Sequence, residues 1–250
     1  MSAPGPGISV EGLRLSLGGR ELLKGISFDV PAGESLAIVG RSGSGKSLTM
    51  RCVLGLSTPD TAEILVDTQK LSPRTRPALL RRSGVVFQGG ALFDSLDVVD
   101  NITFRQLRGP APMRAPDRRA LALELLERVG LPAEIAGLYP ADLSGGMIKR
   151  VGIARALAGQ PDMLFCDEPT SGLDPVTGAQ INSLIRSVQT EARATTITVT
   201  HDPDTVARVA DRVLLIDGGE VKWSGTVAEM RSQSHPLLQG FMPTIGEAED

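Results

Sequence analysis

Eight consecutive residues, Gly40-Arg41-Ser42-Gly43-Ser44-Gly45-Lys46-Ser47, fit the pattern G-x-x-x-x-G-K-[ST] at every fixed position. The pattern constrains the fold as much as the chemistry. Such a loop works only between a buried strand and the first turn of a helix, where backbone N–H groups and the helix N-terminus converge on phosphate. The flanks agree: Ser35 to Val39 is a short apolar strand, and Lys46 to Leu54 reads as a helix that stops near Gly55. The glycines let the backbone approach the anion closely. Lys46 would pair with the β- and γ-phosphates of a nucleotide, and the Ser47 hydroxyl would bind Mg²⁺.

Two further motifs follow in order. Leu164-Phe165-Cys166-Asp167-Glu168 is an apolar strand ending in two acids. Alone, an acidic pair at a strand end reads equally well as a solvated edge. Behind a phosphate loop, Asp167 can hold the metal or one of its waters, because Mg²⁺ takes oxygen ligands. Glu168, one residue on, can face an attacking water as general base. Leu143-Ser144-Gly145-Gly146-Met147 opens a helix whose apolar positions, Ile148, Val151, Ala154 and Leu157, are spaced to pack. The plain reading is a helix capped by Ser144. Two glycines in a first turn weaken a helix, however, and are better explained by an anion meeting the backbone there.

Alternating strands and helices indicate an α/β core with a mainly parallel sheet. Residues 8–31 read as short strands with a turn at Gly18-Gly19, followed by strands at 63–66 and 85–87. From 97 to 158 the pattern is helical, with Leu121, Leu125 and Val129 on one face and a Pro/Gly-rich loop at 109–116. Strands return at 163–166, 196–199, 213–216 and 220–223, with helices around 176–191 and 203–209 between them. The last dozen residues are expected to fray.

Composition excludes several classes. The net charge is −3, so no global basic field draws the chain to nucleic acid. Arg81-Arg82 and Arg118-Arg119 read as solvated faces. Cys52 and Cys166 lie in apolar stretches without metal-ligand spacing and read as buried free thiols. No apolar run reaches membrane-spanning length and no secretory signal opens the chain.

Taken together, these motifs resemble the ATP-binding-cassette (ABC) ATPases, and the resemblance covers nearly the whole chain. It implies an α/β P-loop NTPase core with an antiparallel β subdomain and an inserted α-helical subdomain. The implied organisation is one domain, with 7–88 and 159–230 forming the nucleotide-binding core and β subdomain. Residues 89–158 would form the helical subdomain and 231–250 a C-terminal tail. The implied cofactors are ATP and Mg²⁺. Gln88 matches the glutamine that senses Mg²⁺ and the γ-phosphate, and His201 the switch histidine. Ser171-Gly172-Leu173-Asp174 matches the loop that crosses a dimer interface. His235 lacks such support and reads as a surface residue. In the family, the signature of one copy closes over the phosphate loop of another. That implies a head-to-tail homodimer in which Ser144, Gly145 and Gly146 meet the γ-phosphate bound to the partner subunit's Lys46.

Two positions depart from the family pattern. The aromatic expected upstream of the phosphate loop is Leu15 here, and Leu13 and Leu17 are aliphatic too, so adenine would be held by apolar packing. The signature's final residue is Met147 rather than glutamine. The stretch Val86 to Leu96 (VFQGGALFDSL), with Ser-Gly-Gly-Met, resembles the ATPases of bacterial phospholipid-trafficking systems. Those work with an integral-membrane permease and a mammalian-cell-entry-type substrate-binding protein. The resemblance thus implies a peripheral ATPase at the cytoplasmic face of the inner membrane, with Ala91-Leu92-Phe93 either touching the permease or lying in the core. An importer of polar amino acids or another small solute is the alternative. A DNA-repair or chromosome ATPase would carry a long coiled-coil insertion that the chain lacks, and a non-catalytic binding module would not be expected to keep Glu168 and His201.

Overall fold

The computed structural model describes residues 3–109 and 111–232. The chain opens with β1 (Ile8–Leu17) and β2 (Arg20–Val30), joined at Gly18-Gly19. Both glycines have positive φ, 58° and 78°, as a tight hairpin with right-handed twist requires. These strands are longer than the sequence pattern suggests. An irregularity between Val10 and Leu13, at Gly12, shifts the register and hides the strict alternation.

Next come β3 (Ser35–Val39), α1 (Lys46–Val53), β4 (Thr61–Val66), β5 (Gln69–Lys70), α2 (Arg76–Arg82) and β6 (Ser83–Val86). Phe87, expected in the strand, falls just beyond it. The helical stretch contains α3 (Val98–Ile102), α4 (Phe104–Arg108), α5 (Ala115–Arg128), two 3₁₀ turns and α6 (Gly145–Leu157). The chain then alternates through β7 (Met163–Asp167), α7 (Pro175–Ala192), β8 (Thr195–Val199), α8 (Pro203–Val209), β9 (Arg212–Asp217), β10 (Glu220–Thr226) and α9 (Val227–Ser232).

Two sheets result. One is antiparallel, in the order β2-β1-β4-β5; the other runs β10-β9-β3-β8-β7-β6. Within the second, β9, β3, β8, β7 and β6 are parallel and only the β10 edge is antiparallel. β3 is central and fully buried, which explains its unbroken apolar run. One core fills the space between the sheets, where Met50 and Val53 of α1 meet Leu13, Leu15 and Ile26 on one side and Phe165, Ile197 and Leu214 on the other. A second core joins the helices to the opposite face, with Ile102, Leu126 and Val151 packed with Leu164, Cys166 and Ile185. Leu125 and Val129 are buried in it, as the helical spacing predicts.

The arginine pairs correct one expectation. Arg81 and Arg82 are exposed, but the Arg118 side chain is only 11% exposed and pairs with Asp100 at 3.2 Å. It ties α5 to the start of α3 rather than lying on a solvated face. His235 and most of the expected tail lie outside the described residues. No helix among the described residues is long and apolar enough to cross a membrane.

Both cysteines are buried, and burial pushes the Cys52 thiol up to about 11 and the Cys166 thiol up to about 12. Both groups are therefore protonated at pH 8 and sheltered from reagents. The native protein is expected to show no fast thiol reaction with a disulfide reagent at pH 8, and two equivalents after denaturation. Rapid labelling of either thiol in the native state would contradict this packing.

Candidate nucleotide site

The loop from Gly40 to Ser47 closes over the end of β3. A Cβ on Gly40 would stand 2.0 Å from the Ile216 carbonyl oxygen, and one on Gly45 would stand 2.6 Å from Leu23 Cδ2. Both positions also have positive φ, 149° and 106°, so packing and backbone independently require glycine. Gly45 is the N-cap of α1 and supplies no side-chain cap, and the first turn holds no acid. The N–H groups of that turn are left for an anion.

Lys46 is 7% exposed, and its Nζ donates to the Gly40 and Arg41 carbonyls at 2.8 and 3.0 Å. Burial pulls the ammonium below its ordinary pKa, while the Glu168 and Asp167 carboxylates push back. The cation thus lies folded across the loop it would use to hold phosphate.

The Ser47 hydroxyl donates to Asp167 Oδ1 at 2.8 Å. Neighbouring ligands of an octahedral Mg²⁺, each about 2.0–2.1 Å from the ion, lie at a similar spacing. Asp167 is buried at the end of β7, and Glu168 follows with φ 48°. A left-handed backbone at a residue with a side chain costs roughly 1–2 kcal/mol. It is held by the Glu168 N–H donating to the Val199 carbonyl at 2.9 Å. Glu168 Oε1 lies 2.8 Å from His201 Nδ1, while Glu168 Oε2 is buried without a partner. Ser44 Oγ is likewise buried and unpaired. The unused donors and acceptors fit a phosphate group, its metal ion and a water.

A cleft of about 690 Å³ gathers the phosphate loop, Leu48, Gln88, Glu168, His201 and Leu22. Gln88, Lys46, Glu168 and His201 are therefore brought together from four separate stretches of sequence. Ser144, Gly145, Gly146 and Met147 do not line this cleft. Ser144 accepts from the Met147 N–H at 3.3 Å as the cap of α6, Met147 packs partly into the helical core, and Gly145 is exposed. Asp174 also lies outside the cleft. Its carboxylate accepts from the Val176 and Thr177 N–H groups at 3.1 and 3.0 Å, capping α7, and hydrogen bonds with Thr177 hold it below the usual carboxylate range.

Leu15 must be corrected. It is 4% exposed, on the inward face of β1, and offers no surface to a base. The strand's alternation through Leu13 and Leu15 carries that signal. Leu17 shares the same face but runs past the end of the core and is 57% exposed. Leu22, which borders the cleft, lies on β2 near the same turn. The sequence reading missed Leu22 because nothing polar or periodic distinguishes it. The trio Ala91-Leu92-Phe93 divides: Leu92 packs against the helical core, Ala91 is exposed, and Phe93 is 42% exposed and stacked on Phe104 at 4.4 Å.

Comparison with known proteins agrees with this geometry. The family described as "ABC transporter" matches residues 23–171. The "Methionine import ATP-binding protein MetN" of Caulobacter vibrioides is 44% identical over 235 residues, covering 93% of this chain and 69% of that protein. Its namesake in Thermobifida fusca is 44% identical over 227 residues, covering 89% and 70%. Among solved structures, the dimeric post-hydrolysis state of the ATP-binding cassette MJ0796 with ADP and Pi superposes with a TM-score of 0.80 at 32% identity, covering 88% of this chain and 98% of that one. The cbiO1 protein of Clostridium perfringens, part of the cbiONQ transporter complex, gives 0.80 at 30% identity, covering 93% and 92%.

Lys46→Ala is expected to weaken nucleotide binding by about tenfold or more, the loss of one charge-assisted contact; equilibrium titration with a fluorescent nucleotide measures it. Leu22→Tyr, at the border of the cleft, is expected to tighten binding through stacking, whereas Leu15→Tyr should overpack the core and lower the melting temperature. If Leu15→Tyr tightens binding with no loss of stability, the base reaches Leu15 and the core role given to it is wrong.

Proposed function

The chain belongs to the ABC transporter ATPase family, and from that premise we propose that it powers import of a small solute, with an amino acid as the class of cargo. It is an ATP-hydrolysing transporter subunit that uses ATP with Mg²⁺, and such subunits dimerise and work with an integral-membrane permease. What carries the cargo reading is the 44% identity, over 93% of the chain, to a methionine import ATP-binding protein. The proposed location is peripheral, at the cytoplasmic face of the membrane that holds the permease.

In this reading, Lys46 and the loop from Gly40 to Ser47 hold the β- and γ-phosphates. Bound Mg²⁺ would be held by Ser47 and Asp167, directly or through water, with Gln88 close by, and would neutralise charge on the phosphate oxygens. Glu168, which lines the cleft, takes the proton of the attacking water. His201, hydrogen-bonded to Oε1, orients that carboxylate. Ser144, Gly145 and Gly146, away from the cleft of their own chain, would complete the site of a second copy, and Asp174 would lie along the seam between copies. Residues 7–88 and 159–230 act as the nucleotide-binding unit and 89–158 as the helical unit that meets the permease.

Phospholipid transport with a mammalian-cell-entry-type protein is the second reading. It is favoured by the Val86–Leu96 segment, whose loop keeps Phe93 exposed where a membrane partner could reach it. Purification of the chain with its permease from native membrane separates the two. A soluble binding protein and solute-stimulated ATPase activity support import of a small molecule. A mammalian-cell-entry-type protein with enriched phospholipid overturns it.

Glu168→Gln is expected to bind ATP, accumulate as a dimer on size exclusion, and hydrolyse about 10²-fold more slowly, the usual loss on removing a general base. Full turnover in that variant would refute the role given to Glu168.

A further inference from the structure

The segments that carry Glu168 and His201 meet again beside the cleft, where a second pocket of about 520 Å³ is lined by Glu168, Thr170, Asn182, His201 and Asp202. Thr170, two residues after Glu168, donates through Oγ1 to Asp202 Oδ2 at 3.2 Å and shares a 3.0 Å contact with Thr205 Oγ1. Thr205 Oγ1 lies 2.7 Å from the same carboxylate oxygen and 3.1 Å from Asn182 Oδ1. Asp202 directly follows His201. Its other oxygen caps α8 by accepting from the Asp204 N–H at 3.0 Å, and its own N–H donates to Thr200 Oγ1 at 3.0 Å. Thr170, Asn182 and Thr205 are buried, and none of the three lines the nucleotide cleft.

This is more than a helix cap needs. One oxygen of Asp202 suffices to cap α8. Burying three further polar side chains is costly unless they are hydrogen-bonded, and a network of such bonds has a narrowly defined geometry. What this one defines is the separation of the chain just after β7 from the chain just after β8. The Glu168–His201 pair needs such support. The His201 side chain is 64% exposed, and its one side-chain hydrogen bond among the described residues is to Glu168 Oε1. Glu168 sits on a left-handed backbone. The exposed His201 side chain has little packing to place it, so its position depends on the backbone that carries it.

We propose that Thr205, with Thr170, Asn182 and Asp202, positions the Glu168–His201 pair for hydrolysis. Thr205 is the hub, because its hydroxyl touches all three partners. It is a positioning residue: it meets no nucleotide and acts through the backbone of the two loops. The proposal rests on the reading of Glu168 as base and His201 as its orienting partner.

The test is steady-state ATPase kinetics of the full chain in complex with its permease. Thr205→Val keeps nearly the same shape and removes the hydroxyl. It is expected to lower kcat about tenfold, as small displacements of catalytic groups do, while KM for ATP stays within about twofold. Thr205→Ser, which restores the hydroxyl, is expected to recover most of kcat. If Thr205→Val does not fold, Thr170→Val and Thr170→Ser carry the same comparison. Unchanged kcat, a rise in KM matching the loss in kcat, or no rescue by serine would overturn the proposal. Glu168→Gln, measured in parallel, separates the two levels. If it abolishes turnover while Thr205→Val does not reduce it, only the positioning role fails; if it keeps full turnover, the catalytic reading fails with it.

Discussion

Parallel strands all release the chain at the same edge of a sheet, and the nucleotide site follows from that constraint. β6, β7, β3 and β8 run in one direction, so Gln88, Asp167-Glu168, Gly40 and His201 emerge together although they span more than half of the sequence. Ligands of open α/β sheets bind at this carboxyl edge for the same reason. The central position of β3 places the phosphate loop between the acidic pair and the strand that carries Ile216. Gly40 and Gly45 are then required because there is no room for a side chain at either position.

At that edge the structure keeps its reactive groups in tension rather than at rest. Lys46 is a buried cation whose hydrogen bonds among the described residues go to carbonyl oxygens of the loop it would open. Glu168 has a left-handed backbone and one unpaired buried oxygen. Such costs are tolerable where the surrounding fold overdetermines the position, and they collect where chemistry occurs. The polar network beside Glu168 and His201 is one source of that overdetermination; the Val199 carbonyl, which receives the Glu168 N–H, is another.

The signature glycines tell a complementary story. They form a sound, capped helix start and yet lie outside the cleft of their own chain. Within one copy the cleft gathers the phosphate loop, Gln88, Glu168 and His201, but not Ser144, Gly145 or Gly146. Two solved structures that superpose on this chain are described as dimers of an ATP-binding cassette.

Much of this was legible in the sequence because local chemistry demanded it. The phosphate loop requires its strand and helix. The acidic pair at the end of an apolar strand does lie beside the phosphate loop, and helical periodicity picks out Leu125 and Val129. Tertiary structure decided the rest. Leu15 and Leu17 look alike in the sequence, and only the packed structure makes one a core residue and the other exposed. Arg118 reads as solvated until α3 brings Asp100 within reach. Thr170, Asn182, Asp202 and Thr205 carry no motif at all. The sequence by itself determines what each short segment can bind, because those contacts lie within a turn or two of backbone. Which distant segments share a site, and which side chains hold them in register, depends on packing between elements far apart in the chain.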